Sequence, residues 1–154
     1  MENKNEVINF FGPNACFSLF ASGPVIFNRI TFPTIQHALT AAKSFSLTEQ
    51  IKISQLPTPG SALRYQPQHP KKKWKKAGYI FKILKDLVDQ RFDPEKNPVL
   101  VEKFLATDPA KLENLNLYGD DFFGIVRCNK RNTGLNYYGI ALMRKRRLLQ
   151  SSMN

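Results

Sequence analysis

Phe32-Pro33-Thr34-Ile35-Gln36-His37-Ala38-Leu39-Thr40-Ala41-Ala42-Lys43 is the stretch from which the fold is read. A threonine placed just before an apolar-periodic run is a favoured helix N-cap, because its hydroxyl can accept from an otherwise unpaired backbone N–H. Ile35, Ala38, Leu39, Ala42 and Phe45 then recur at helical spacing, which predicts a helix from about Thr34 to Phe45 with an inward apolar stripe. Gln36 and Lys43 lie seven residues apart on one face away from that stripe, so the pair is expected to point into a cleft.

Upstream, the apolar runs Val7 to Phe11 and Val25 to Phe32 are bounded by Gly12-Pro13 and Gly23-Pro24 and read as short strands. Asn28-Arg29 at the centre of the second run supplies a tight turn, hence a small hairpin. Downstream, a second helix is predicted from Thr48 to Leu56, stopped by Pro57, Pro59 and Gly60. Ser61 to Lys73 reads as a basic surface loop, long enough to bind something. The strongest periodicity follows, with Trp74, Ala77, Phe81, Leu84, Leu87 and Val88 on one stripe until Asp93-Pro94 ends the helix. Asn97-Pro98 and Asp108-Pro109 each place a capping side chain before a proline suited to the first helical position, so two shorter helices are predicted there. Val99, Leu100, Phe104 and Leu105 would form the apolar face of the first. After a Tyr118-Gly119-Asp120-Asp121 turn, a loop rich in Gly and Asn leads to a last helix, about Tyr137 to Leu149, with a basic end. The expected fold class is therefore mainly α (α+β): a multi-helical single domain spanning residues 1–154, core about 7–149, with a small β-hairpin element near the N-terminus.

Composition agrees with one domain. The chain has 154 residues, 42% of them hydrophobic, and no internal repeat, enough to bury a core and too few to expect two. No stretch approaches the roughly 20 apolar residues of a membrane span, and Met1 to Asn5 is polar rather than signal-like. A soluble, intracellular, cytoplasmic protein with no membrane association is expected, and a monomer. Cys16 and Cys128 are isolated thiols, expected to be buried or free. His37 and His69 stand apart and neither cysteine has a partner at ligand spacing, so no metal site and no cofactor is expected.

Charge is the compositional outlier: 23 Lys and Arg against 12 Asp and Glu give +11. Solubility alone would account for a solvated charge surplus. Clustering favours phosphate-bearing partners, a nucleic acid bound without cleavage being one alternative, since Lys71-Lys72-Lys73-Trp74-Lys75-Lys76 surrounds the only Trp with five cations and Arg144-Lys145-Arg146-Arg147 forms a second block.

Five blocks then stand in order along the chain: Phe17-Ser18-Leu19-Phe20; Phe32 to Lys43; Trp74; Asp120-Asp121-Phe122-Phe123-Gly124; and Gly134, Asn136, Gly139, Leu142, Met143 and Arg146. Their order and spacing resemble the NADAR family, also called YbiA-like, whose pattern runs F-S-N-F, then Y-P-[ST]-x-E-H-x-x-x-A-x-K, then a Trp, then D-x-x-W-G, then G-x-N-x-L-G-x-x-L-M-x-x-R. The resemblance extends from about Phe10 to Leu149. It implies an N-glycosidase that cleaves a base from a ribose, in riboflavin precursors or in ADP-ribosylated guanine, with a nucleobase, nucleotide or nucleic acid as partner. Three positions depart: Leu19 replaces the family Asn, Gln36 the family Glu, and Phe123 the family Trp.

Cleaving an N-glycosidic bond develops positive charge on the ribose, so the chemistry requires a carboxylate plus groups that hold base and phosphates. The resemblance assigns the carboxylate to the position of Gln36, yet an amide does not ionise and is a very poor base. Either another carboxylate serves, or the chain binds without turnover, or a Glu-to-Gln change traps a ligand. Asp120 matches the family Asp and Asp121 adds a second carboxylate, although Gly-Asp-Asp is also an ordinary turn. Trp74 is placed for stacking on a base, or for the stripe of its helix. Arg64 lies where the family often has Gly-Arg, with Leu63 in place of the Gly, and with Lys43 it is a candidate phosphate contact; Lys72 and Lys73 are others. His37 stands in the first helical turn, suited to a structural hydrogen bond or to a supporting catalytic part. Ser18 and Asn136 match small polar positions that suit ribose contacts, capping or turns. Phe20 and Phe123 complete the matched positions, and Gly124, Gly134 and Gly139 are expected to allow positive φ or close packing.

Overall fold

Periodicity locates the helices closely, and hydrogen bonds between distant residues decide the rest. In the computed structural model, which describes residues 6–74 and 76–153, the elements run β1 (Val7–Ile8), a 3-10 helix (Gly12–Phe17), β2 (Val25–Phe27), β3 (Ile30–Phe32), α1 (Ile35–Ala42), α2 (Leu47–Ser54), α3 (Pro59–Arg64), α4 (Ala77–Arg91), α5 (Pro98–Leu105), β4 (Lys111–Leu112), β5 (Val126–Cys128), β6 (Arg131–Thr133) and α6 (Tyr137–Ser152). The polar N-terminus Met1 to Asn5 and Lys75 of the basic run lie outside the described residues. The mainly helical class with short strands is as expected. The chain divides into two compact units, one comprising the residues up to Ser18 together with Phe92 onwards, the other Leu19–Arg91.

In the Leu19–Arg91 unit, β2 and β3 form an antiparallel hairpin, pairing Val25 with Phe32 and Phe27 with Ile30. Its turn residues Asn28 and Arg29 both take positive φ, 51° and 64°, the left-handed pair that a two-residue hairpin requires. Thr34 caps α1 by accepting from the His37 N–H. Every residue of α1 is buried, Gln36 included, and Lys43 stands just beyond it at the C-cap. Helices α2, α3 and α4 surround α1 with Ile53, Ala62, Ile80, Leu84, Leu87 and Val88. Two expectations fail here. Pro59 does not simply stop a helix but starts one: Thr58 and Ser61 form a capping box and Pro59 occupies the first turn, where its missing N–H costs nothing. And α4 starts at Ala77, leaving Trp74 in a turn, because Lys71 N–H donates to the Lys43 carbonyl and Phe45 N–H to that of His69, tying 69–71 to the end of α1.

In the other unit, Phe10, Phe17, Phe92, Phe104 and Tyr138 form a ring cluster with centroids 4.5 to 6.5 Å apart. Such edge and tilted contacts add to the burial of large apolar area. Asn97-Pro98 does open a helix, but Val99 is exposed and Val101 and Phe104 face inward. No helix follows Asp108-Pro109; instead β4 pairs in parallel with β1, joining Ile8 to Leu112, and Lys111 N–H donates to the Glu6 carbonyl. The loop before α6 contains an unexpected hairpin, β5–β6, with Asn129 and Lys130 at positive φ. Both cysteines are free thiols. Among the described residues no helix is long and apolar enough to cross a membrane.

Candidate functional site

The five blocks are divided between the two units. In the Leu19–Arg91 unit, the Gln36 N–H donates to the Leu19 carbonyl at 3.1 Å, which joins the first block to the second. Leu19 itself is buried, so at this departure from the family pattern an apolar core side chain stands where an amide was expected. Gln36 is 3% exposed. Its Nε2 donates to Thr40 Oγ1 at 3.2 Å, and that hydroxyl donates to the Ala62 carbonyl at 3.0 Å. The chain of donors runs one way, from amide to hydroxyl to α3. Thr40 was not singled out from sequence, although its position one helical turn beyond Gln36 is a readable signal.

His37 is 1% exposed, with Nε2 3.1 Å from the Leu56 carbonyl and Nδ1 2.8 Å from Thr34 Oγ1. A carbonyl only accepts, so Nε2 carries the proton and Nδ1 accepts from the hydroxyl. Burial pushes the imidazole pKa down, opposed by the bond to Leu56. Lys43 occupies the C-cap of α1, where a cation suits the helix dipole. Its Nζ lies 5.5 Å from the centroid of the Trp74 ring, within cation–π range. The turn that carries Trp74 is closed by its N–H to the Lys71 carbonyl, and Lys72 and Lys73 are exposed on it. Arg64 is exposed on the last turn of α3, and Phe20 is half-buried.

Sequence reading missed the most heavily bonded carboxylate of this unit. Glu49 is 6% exposed and accepts from Ser44 Oγ at 2.5 Å, Tyr65 Oη at 3.0 Å, Gln68 N at 2.8 Å and His69 N at 3.3 Å. Burial raises its pKa, but the bonds from Ser44, Gln68, Tyr65 and His69 outweigh it and hold the group at about 2. Ser46-x-x-Glu49 reads as a capping box, and Ser46 does accept from the Glu49 N–H. The carboxylate turns instead to residues 65–69, partners no local pattern reveals.

In the other unit, the Asp120 carboxylate accepts from the Phe122 and Phe123 N–H groups at 3.0 and 2.9 Å. Asn116 locks the turn from outside, accepting from the Asp120 N–H and donating to its carbonyl. The carboxylate is half-exposed and fixed in place. Asp121 is exposed and its carbonyl takes the Leu135 N–H. Burial, then the charge of Asp120, pushes the Tyr118 phenol up to about 12. The fourth and fifth blocks are knit by backbone bonds: Asn136 N–H to Gly124, Tyr137 to Phe122 and Tyr138 to Phe123. A Cβ on Gly124 would meet the Asn114 carbonyl at 2.2 Å, and one on Gly139 the Leu112 carbonyl at 2.3 Å. Phe123 is buried. Asn136 takes φ 54° and spends both ends of its amide on backbone, accepting from Asn114 N and donating to the Leu112 carbonyl. Ser18 caps the 3-10 helix, its N–H donating to Ala15. The basic block on α6 is not one surface: Arg146 is 5% exposed and donates to Thr107 Oγ1 and the Ala110 carbonyl, both at 2.9 Å. That expectation is corrected, because a backbone carbonyl and a hydroxyl claim the guanidinium. Among the described residues no group of His, Cys, Asp or Glu is arranged to hold a metal ion.

The chain is similar in fold to the E. coli protein YbiA, whose NMR structure it matches with a TM-score of 0.77 at 25% identity, over 97% of this chain and 88% of that one. No protein-family model and no curated protein matches the sequence. The resemblance drawn from the five blocks is thus present in the structure as a YbiA-like fold.

Proposed function

We propose that this chain, with its YbiA-like fold, is a NADAR-type N-glycosidase that hydrolyses a base–ribose bond, either in ADP-ribosylated guanine, free or in nucleic acid, or in a ribosylaminopyrimidine precursor of riboflavin. The observation that carries this reading is the likeness to YbiA over 97% of the chain, with the five motif blocks in the family's order. As the bond to the base lengthens, positive charge grows on the ribose, and a carboxylate held at a set position stabilises it without reorganising. Asp120 takes that part, steadied by the Phe122 and Phe123 amides. The Gln36 carbonyl oxygen orients the attacking water, and Trp74 stacks on the base. Lys43 and Arg64 hold the phosphates, and Ser18, Phe20, Asp121, Phe123 and Gly124 border the substrate. His37 and Asn136 act by position, since both polar ends of each are engaged by the protein.

A second reading rests on the fit of Gln36. Its amide donates to Thr40, whose proton is then free for Ala62; a carboxylate at this position has no proton to give, and Thr40 would have to turn away from Ala62. The site is matched to the amide, which favours a module that holds a nucleotide or ADP-ribose without cutting it.

A base-release assay separates the two. The chain and its Gln36→Glu variant are incubated with ADP-ribosylated guanosine, guanine-modified DNA and the riboflavin precursor, and the products are resolved by chromatography. Release by both places the chemistry on Asp120, and Asp120→Asn should then lower it by about 100-fold or more. Release by Gln36→Glu alone marks a site silenced at one position. Silence from both, with calorimetric binding of intact ADP-ribose, overturns the glycosidase reading in favour of the binding module.

A further inference from the structure

The hairpin β2–β3 and helix α4 form a groove that the proposed site does not use. It has a volume of about 310 Å³ and is lined by Phe27, Tyr79, Lys82, Ile83 and Asp86, the lower end of the range for small-ligand sites. Lys71 sits against it. Its Nζ lies 5.5 Å from the Phe27 ring centroid and 5.4 Å from that of Tyr79, and donates to Tyr79 Oη at 2.7 Å. Among the described residues no carboxylate pairs with Lys71 or Lys82. Asp86, the acidic residue of the lining, accepts from Gln90, which is also bonded to both backbone groups of Ile26.

We propose that this groove binds one nucleotide of a single-stranded nucleic acid, with its base against Phe27 and Tyr79 and its phosphate on Lys71 and Lys82. A half-buried ammonium whose bonded side-chain partner is a neutral phenol retains uncompensated charge, and an anion that brings its own oxygens supplies the strong, charge-assisted partner. Aromatic rings beside it select an anion joined to a flat base, because stacking is available to any base and needs no particular sequence.

The arrangement favours a strand over a mononucleotide. Lys71 opens the turn that Trp74 closes, so the ends of that turn lie within about 7 Å of each other. One end carries the Lys71–Tyr79–Phe27 group and the other the Trp74–Lys43 pair, with Lys72 and Lys73 exposed between them. A single nucleotide occupies one platform; neighbouring nucleotides of one strand occupy both. The net charge of +11 draws a polyanion to this surface. The inference does not require the chain to cleave anything, and its test uses an unmodified strand.

The test is fluorescence anisotropy of the full chain with a short fluorescein-labelled single-stranded DNA across a series of sodium chloride concentrations. Lys71→Gln and Lys82→Gln should each weaken binding, and the double variant should lower the log–log salt slope by about 0.7, the value of the one phosphate they share on a single strand. Tyr79→Leu should weaken it about tenfold with little change in slope. Lys96→Gln, which removes the same charge from an exposed position in the other unit, should do neither. Equal losses for Lys82→Gln and Lys96→Gln would reduce the effect to diffuse charge and overturn the proposal; Lys82 is exposed, so this comparison stands even where Lys71→Gln perturbs folding. Displacement of the strand by adenosine monophosphate at an equal nucleotide concentration would also overturn it, by making the ligand a free nucleotide.

Discussion

Glu49 shows how far a single buried residue departs from what its neighbours in sequence announce. Four donors converge on one carboxylate, so the residue fastens 65–69, the approach to the Lys71–Trp74 turn, to the start of α2. Replacing it by Gln keeps the shape but sets an amide N–H against backbone N–H groups, and should cost about 1–3 kcal/mol in urea denaturation at neutral pH. The pH dependence has a definite sign. The folded-state pKa, about 2, is depressed from the usual 4.5, so the stabilisation is complete above about 4.5 and is lost as pH falls from there towards 2. The gap between the wild type and Glu49→Gln should therefore be widest at neutral pH and close as acid is added; a constant gap would show that the charge is not what matters. Gln36 and His37 are of the same kind. Both stand at motif positions legible in the sequence, but that each would be buried and bonded within the protein depends on Thr40, Ala62 and Leu56.

Some elements that close on themselves were legible, whereas those that close on something remote were not. The β2–β3 turn announces itself in Asn28-Arg29, because a two-residue hairpin needs residues that tolerate positive φ. Its counterpart, β5–β6, has Asn129-Lys130 in the same role, but β5 is only three residues long and β6, Arg131-Asn132-Thr133, is polar and exposed throughout, so no apolar run marks the hairpin. The glycines that join this hairpin to the Asp120 turn were recognised, and the structure gives their reason. Gly134 has φ +146°, and a Cβ there would sit 2.3 Å from the Gly124 carbonyl. Gly134→Ala should cost more than about 2 kcal/mol and lower the thermal midpoint; a change within about 0.5 kcal/mol would mean the backbone relaxes freely at this junction. Proline was the most ambiguous signal. Pro59 and Pro98 both start helices, whereas Pro109 leads into β4, and the local sequence is compatible with either.

At the scale of the whole molecule, charge and core must be separated side chain by side chain. Arg144 to Arg147 reads as one basic block, yet Arg146 is withdrawn into its unit to satisfy Thr107 and Ala110 while Arg147 remains exposed. Arg146→Ala should cost about 2–4 kcal/mol, since it leaves a buried carbonyl without its partner, whereas Arg147→Ala should stay within about 0.5 kcal/mol; urea denaturation of the pair checks both. Each unit buries its own core, aromatic rings in one and aliphatic side chains around α1 in the other. The sequence by itself determined the helical class, the spans of α1, α2, α4 and α6 to within a few residues, the first hairpin and the order of the motif blocks. All of these follow from spacing within a dozen residues, where helix and turn geometry act. Only the tertiary structure decided that α1 is buried on every side, that Trp74 lies off its helix and against Lys43, that Ile8 pairs with Leu112, and that Glu49 and Arg146 are spent on the fold. Each of those outcomes depends on a partner brought near by chain folding, and no local periodicity carries the identity of that partner.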